Sequence, residues 1–314
     1  MRQTFCTLIL SLFLCINAYA QDINFAQSFS NPLLLNPAYA GSLGCSRVAT
    51  GFSGQWSDRL LNYSQTAISY DQYIPKLHSG FGFGFTNINI PTFPNITYNT
   101  ATIYYAFNFN INKNFQIRPA INAGFVRHMQ HWIPYQLEGF CIPPNNTSSS
   151  SPNETPHYYP DFGAGLLIRY KKFITGVSYD HITEPENVIY LVSKLPSKLT
   201  IHGNYMFDLN GKVFLTPGII YKKQKDFEEM DYSLLLKVWK IKCGFGFTQN
   251  FYNADYFTGL IGFCTKQLSI GYSYGLTISK LSNANDGPHE ISAVFKFNCK
   301  NDKEKYRISQ LDGF

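Results

Sequence analysis

The sequence is short of charge. Asp, Glu, Lys and Arg make up 15% of its 314 residues, against roughly 25% in ordinary soluble domains. It also lacks the runs of a helical membrane protein. Mean hydropathy is −0.15, and no stretch after residue 20 approaches the ~18 uninterrupted apolar residues of a spanning helix. Long Ala/Leu/Glu/Lys-rich helical segments are missing, which argues against a doubly wound α/β enzyme. Disorder is excluded from the other direction: it needs few aromatics and a large net charge, whereas this chain has 27 Phe, 22 Tyr and a formal charge of only +6. The length fits one large β-barrel as well as two soluble domains.

Cysteine is scattered. There are seven, two of them in the first twenty residues. The remaining five, Cys45, Cys141, Cys243, Cys264 and Cys299, contain no C-x-x-C spacing, and an odd number argues against a complete disulfide framework. Cys243 and Cys264 sit inside alternating apolar runs and read as small wall-facing hydrophobes rather than metal ligands.

Catalytic constellations are missing as well. His289-Glu290 has no second histidine four residues after the first, as a zincin needs, and residues 143–152 hold no G-x-S-x-G elbow. His128 and His131, three apart on a strand, fall on opposite faces and read as a solvated pair at a loop mouth rather than a metal site. Asp180 and His181 are strand neighbours, so their side chains are expected to diverge, with His181 to Pro185 forming a turn. The Gly-x-Gly stretches follow a strand period and lack the helix N-terminus that binds phosphate. No aromatic-basic patch supports a nucleic-acid partner. The expectation is no catalytic, metal or cofactor site and no small-molecule substrate.

What is present is alternation. Phe81, Phe83 and Phe85 share one face while Gly80, Gly82 and Gly84 share the other. Leu268, Ile270, Tyr272, Tyr274 and Leu276 alternate with Gln267, Ser269, Gly271, Ser273 and Gly275 in the same way. Such a pattern marks strands with one apolar face; the small and polar opposite face is not what a packed soluble core supplies, and its glycines leave room for inward groups or a plug. About fourteen strands follow from this reading, near 47–56, 61–73, 79–90, 96–110, 114–129, 161–170, 173–181, 197–208, 212–224, 229–239, 240–249, 255–264, 267–278 and 289–298. Many are about ten residues long, the length of a tilted membrane-crossing strand. Connections after even-numbered strands are short, such as Lys171-Lys172 and Asn210-Gly211. Most after odd-numbered strands are longer: Pro91 to Asn95, Gln130 to Pro160, Ile182 to Pro196, Lys225 to Glu228, Asn250 to Ala254 and Ser279 to Pro288. Short turns on one side and long loops on the other is the layout of an outer-membrane barrel, with both termini on the periplasmic side. A secreted β-sandwich array is the alternative that alternation alone leaves open.

The ends complete the organisation. Arg2, an apolar core from Leu8 to Ile16 and Ala18-Tyr19-Ala20 read as a signal peptide over 1–20, cut between Ala20 and Gln21. Residues 21–46 form an N-terminal periplasmic segment or plug, 47–298 the barrel, and 299–314 a periplasmic C-terminal tail. The N-terminal segment has Asn31-Pro32 and Asn36-Pro37 as turn dipeptides. It is too apolar to stay in water, so Phe25, Phe29, Asn31, Pro32, Leu34, Asn36, Pro37, Ala38, Tyr39 and Gly41 are expected to bind a partner, close the lumen, or do both. The Pro/Asn/Ser-rich 130–160 loop is expected at the surface, contributing to partner choice.

These residues carry a resemblance. Gln21 to Gln27, Asn31-Pro32-Leu33 and Asn36-Pro37-Ala38-Tyr39-Ala40-Gly41-Ser42 are similar to the mature start of PorP/SprF-family type IX secretion system membrane proteins. Matches continue through Gln55-Trp56, Ser69-Tyr70-Asp71, Pro160 to Leu166, Gly176-Val177-Ser178, His181 to Pro185, Leu195-Pro196, His202, Pro217, Tyr221-Lys222, Gln224, Ile270 to Tyr274 and His289-Glu290-Ile291-Ser292. Gly275 and Thr248 depart from the acidic and basic residues usual at those places. The resemblance implies a non-enzymatic outer-membrane protein of Bacteroidota, in contact with outer-membrane lipid, the periplasmic ring and other components of the secretion and gliding-motility machinery, and the C-terminal domain of a secreted adhesin. It implies support of adhesin export or surface attachment. A passive porin-like channel is the alternative.

Overall fold

The computed structural model describes residues 25–55, 63–91, 95–131, 156–188, 192–250, 254–278, 287–297 and 299. The signal peptide and cleavage site expected from the sequence, most of the 130–160 loop, Cys141 and the tail beyond Cys299 lie outside the described residues.

Fourteen antiparallel strands close into one barrel. In chain order they are β1 (Ser46–Gln55), β2 (Tyr63–Ile74), β3 (Ser79–Ile90), β4 (Asn95–Phe107, continued by Phe109–Asn112), β5 (Phe115–His131), β6 (His157–Tyr170), β7 (Phe173–Asp180), β8 (Lys198–Tyr205, continued by Phe207–Asp208), β9 (Val213–Gln224), β10 (Phe227–Val238), β11 (Ile241–Asn250), β12 (Ala254–Cys264), β13 (Leu268–Thr277) and β14 (His289–Phe297). Each strand pairs with its sequence neighbour, and β1 pairs with β14 from Ser46↔Phe297 to Gly54↔His289 to shut the ring. Closure leaves no open edge, which a lipid-facing sheet cannot tolerate because nothing in hydrocarbon satisfies its backbone groups. No helix among the described residues is long and apolar enough to cross a membrane.

The period-two pattern fixes which way each strand faces. Phe81, Phe83 and Phe85 point outward and are well exposed, as are Ile103, Ile121, Phe245 and Ile261 on other strands. In a bilayer this surface is the lipid face. Aromatics gather near the turns, with Tyr105, Phe109, Tyr170, Phe173 and Trp239 at the short-turn end, as the aromatic girdle of an outer-membrane barrel does. The turns at Lys171-Lys172 and Trp239-Lys240 are as short as their sequence suggests, and Lys171 and Trp239 take a positive φ to make them.

Three sequence expectations change in detail. Residues 225–228 are not a longer loop: β9 and β10 are joined by a two-residue turn, Lys225-Asp226, because Lys222 pairs with Glu229 and Lys223 with Glu228 across the strands and carries the ladder further. β6 starts at His157 rather than 161, in register with His128 of β5. A short hairpin, Glu186–Val188 with Val192–Lys194, occupies part of the connection between β7 and β8.

Cys45 and Cys299 are joined by a disulfide, leaving Cys243 and Cys264 free among the described residues. The sequence left this pairing open. It sits at the short-turn end of the β1–β14 seam, the one neighbouring pair of strands that no turn or loop connects.

Two outcomes follow. Phe83→Arg, at the middle of the lipid face, is expected to destabilise the barrel by about 2–4 kcal/mol, against ~0–1 kcal/mol for Trp239→Arg at the girdle; urea titration of the vesicle-inserted protein separates them. Cys45→Ser with Cys299→Ser is expected to lower stability by about 2–4 kcal/mol, read as a drop in the temperature at which the barrel loses its heat-modifiable gel mobility.

Candidate functional site

Residues 25–45 fold inside the barrel. The two Asn-Pro dipeptides organise them. Pro32 opens a single helical turn, α1 (Pro32–Leu35), and Pro37 opens a 3-10 turn, Pro37–Tyr39. Proline suits the first helical position, where its missing N–H is not needed. Asn36 caps the second turn, its Oδ1 accepting from the Ala38 N–H at 2.9 Å. Of the ten residues expected to contact a partner or close the lumen, all but Leu34 and Gly41 have their side chains buried against the wall or the segment itself; Leu34 is half-buried, and Gly41 presses its backbone against the wall.

Three sets of wall groups hold the segment. At the short-turn end, Asp71 of β2 accepts from the Gly41 N–H at 2.7 Å and from Arg47 at 2.7 Å. Arg118 of β5, fully buried, donates to the carbonyls of Ala38, at 3.0 Å, and Ala40. Two guanidinium groups thus face one carboxylate, and backbone carbonyl dipoles take up the second positive charge. In the middle, Asn36 Nδ2 donates to the carbonyls of Leu166 and Val177 at 3.2 and 3.1 Å and lies 3.3 Å from His202 Nε2. Tyr39 stacks on the His202 ring at 5.4 Å, and its burial pushes the phenol pKa up. At the far end, the Glu290 carboxylate accepts from the Ala26 and Gln27 N–H groups at 2.6 and 2.8 Å, while Gln27 bonds Ser273 and Ser292.

Glycine makes the contact possible. A Cβ on Gly80 would sit 1.8 Å from the Ala40 carbonyl oxygen, and one on Gly176 would sit 2.8 Å from Asn36 Nδ2. Gly41 itself adopts φ +65°, and a Cβ there would meet Gln72 O at 2.7 Å. The small face seen in the sequence is the surface on which the segment lies.

Beyond the segment, toward the long loops, a cavity of about 280 Å³ remains. Phe25, Asn31 and Leu33 to Leu35 form its floor. The strand histidines behave differently from the sequence expectation. His128 is not solvated: it turns inward, buried, and stacks on Tyr98 at 4.6 Å, while His131 faces the other way. Asp180 and His181 do line one cavity, because the strand ends at Asp180 and His181 takes φ +57°. His181 then bonds Asp161, at 2.9 Å. The turn role read for His181 to Pro185 is present, with Glu184 N–H donating to the His181 carbonyl. Among the described residues no three metal-ligating side chains converge.

Sequence reasoning did not single out Arg118, Arg47 or Asp71 as site residues. The signal was there: each is a charge at an inward position of an apolar-alternating strand. Replacing Arg118 by Met strips the donors from two buried carbonyls, at about 1.5–3 kcal/mol for each charged hydrogen bond. The expected result is an inserted barrel whose steady conductance in a planar bilayer rises above that of the unaltered protein.

Solved structures share the architecture. The toluene transporter TbuX of Ralstonia pickettii aligns with a TM-score of 0.54 at 10% identity, covering 90% of this chain and 96% of that one. The toluene transporter TodX of P. putida aligns at 0.51 and 9%, covering 88% and 95%. At these identities the likeness is one of fold alone. No curated protein matches the sequence significantly. Residues 17–295, however, match the type IX secretion system membrane protein PorP/SprF family across both the barrel and the segment inside it. The chain belongs to the PorP/SprF family of type IX secretion system membrane proteins.

Proposed function

We propose that this protein is a non-enzymatic assembly subunit of the type IX machinery that supports the export or surface attachment of a large adhesin. The observation that carries the reading is the filled lumen. A barrel whose interior is occupied by its own chain, held by Arg118, Asp71, Asn36 and Glu290, is suited to act as a fixed anchor rather than a conduit. On this reading the short-turn end faces the periplasm and meets the periplasmic ring. The buried residues of the segment, from Phe25 to Gly41, act by holding the shape of that surface rather than by touching the partner themselves. The long-loop end faces outward, where it meets the adhesin's C-terminal domain.

Deleting the gene is expected to abolish surface display of at least one large type IX cargo, and the full-length protein is expected to co-purify with ring components. In a planar bilayer the unaltered protein is expected to show no large steady pore. A large steady conductance, with cargo display intact in the deletion strain, would instead identify a passive channel.

A further inference from the structure

The cavity above α1 has features that a merely leftover space lacks. It is closed below: Leu33, Leu35 and Tyr39 are buried beneath it, so whatever enters from the long-loop end must leave the same way. It has two tiers. The tier nearer the long loops is apolar, formed by Ile88, Tyr98, Val126, Tyr159 and Leu195. Deeper along the same wall, below Val126 and Tyr159, lie Asn122, Asp161 and, on the adjacent strand, Asp180.

Oxygen atoms converge in the acidic tier around Gly163. A Cβ at that position would lie 2.5 Å from Asn122 Oδ1 and 2.7 Å from Asp180 Oδ1. Asp161 uses one oxygen on His181; its Oδ1, like Asn122 Oδ1, has no hydrogen-bond partner among the described residues. Two cations also line the cavity. Lys222 is committed to Glu229 and Asp231, at 2.8 and 2.7 Å. Lys198 lies in register with Asp180 and offsets one of the two charges. What remains is a net acceptor surface suited to a donor-rich cation. In the floor, Asn31 is 5% exposed, accepts from Ser69 through Oδ1, and has no partner for Nδ2 among the described residues. Acceptors deep on the wall, an apolar tier above them and an amide donor in the floor match a peptide: a basic side chain, an apolar side chain and a backbone carbonyl.

We propose that this cup is the seat of an extended peptide segment of a secreted protein. The segment enters from the long-loop end, sets a lysine or arginine against the oxygens around Gly163, and packs an apolar side chain on Tyr98, Val126 and Leu195. The inference rests on the secretion role proposed above and adds to it the place and chemistry of cargo contact.

A photo-crosslinking residue at Thr100, inside the cup, tests it in cells making the full-length protein, with Thr97 on the outer face as control. Thr100 is expected to capture a type IX cargo through a segment that places a basic residue beside an apolar one, and Thr97 is not. Asp161→Asn with Asp180→Asn is expected to lower that capture more than tenfold, since removing one side of a buried charge contact has effects of at least this size. Thr102→Trp, which fills the cup without altering charge, is expected to do the same; retained heat-modifiable mobility shows that each variant folds. Capture of only the protein's own loops, of lipid, or of nothing overturns the proposal, as does capture unchanged by the cup variants. If the deletion strain still loses cargo display in those cases, the secretion role stands and only the cup assignment falls. If deletion leaves every cargo displayed, the secretion role falls as well.

Discussion

The structure depends on charges that have no water to turn to. Arg118, Arg47 and Asp71 point into the lumen and are buried. A buried ion without partners is expensive, and breaking a buried pair typically costs about 3–5 kcal/mol. Here the partners come from the N-terminal segment: the N–H of Gly41 and the carbonyls of Ala38 and Ala40. The wall needs the segment to satisfy its charges, and the segment needs the wall because an irregular backbone at membrane depth must find its hydrogen bonds within protein. Barrel and plug are therefore one folding problem.

The same mutual requirement explains the glycines. A barrel of fourteen strands leaves more interior than wall side chains fill. Large inward residues would fill it from the wall. Here Gly80, Gly165 and Gly176 leave room instead, and the chain's own backbone and Asn36 occupy it. A bulkier wall at these positions would expel the segment before it changed the strands.

Most of the barrel was legible in the sequence because strand facing repeats every two residues and is decided locally. The ranges 79–90, 173–181 and 289–298 differ from the observed strands by at most a residue at each end. The β9–β10 turn was misjudged because Phe227 and Glu228 were read as part of the loop, whereas the pairing of Glu228 with Lys223 carries the ladder further. Which wall groups hold the N-terminal segment was not legible, since they lie some 30 to 260 residues away, at Asp71, Arg118, His202 and Glu290. Yet Ser69-Tyr70-Asp71, Gly176-Val177-Ser178, His202 and His289 to Ser292, scattered pieces that carried the family resemblance, converge on that segment in space. The motif is continuous in three dimensions and broken only along the chain. Asp180 and His181 mark the limit of period-two reasoning: it ends where the strand does.

The Cys45–Cys299 bond ties the place where the chain leaves the lumen to the place where it finishes its last strand. Entry and exit thus share a single point on the rim. Whatever the chain carries after Cys299 starts beside the base of the plug, and a protein that grips that tail has the plug's anchorage within reach. The bond also converts a sheet that ends into a loop without ends: the chain from 45 to 299 can no longer be unwound from either terminus, and the segment it encloses is held inside a covalent ring.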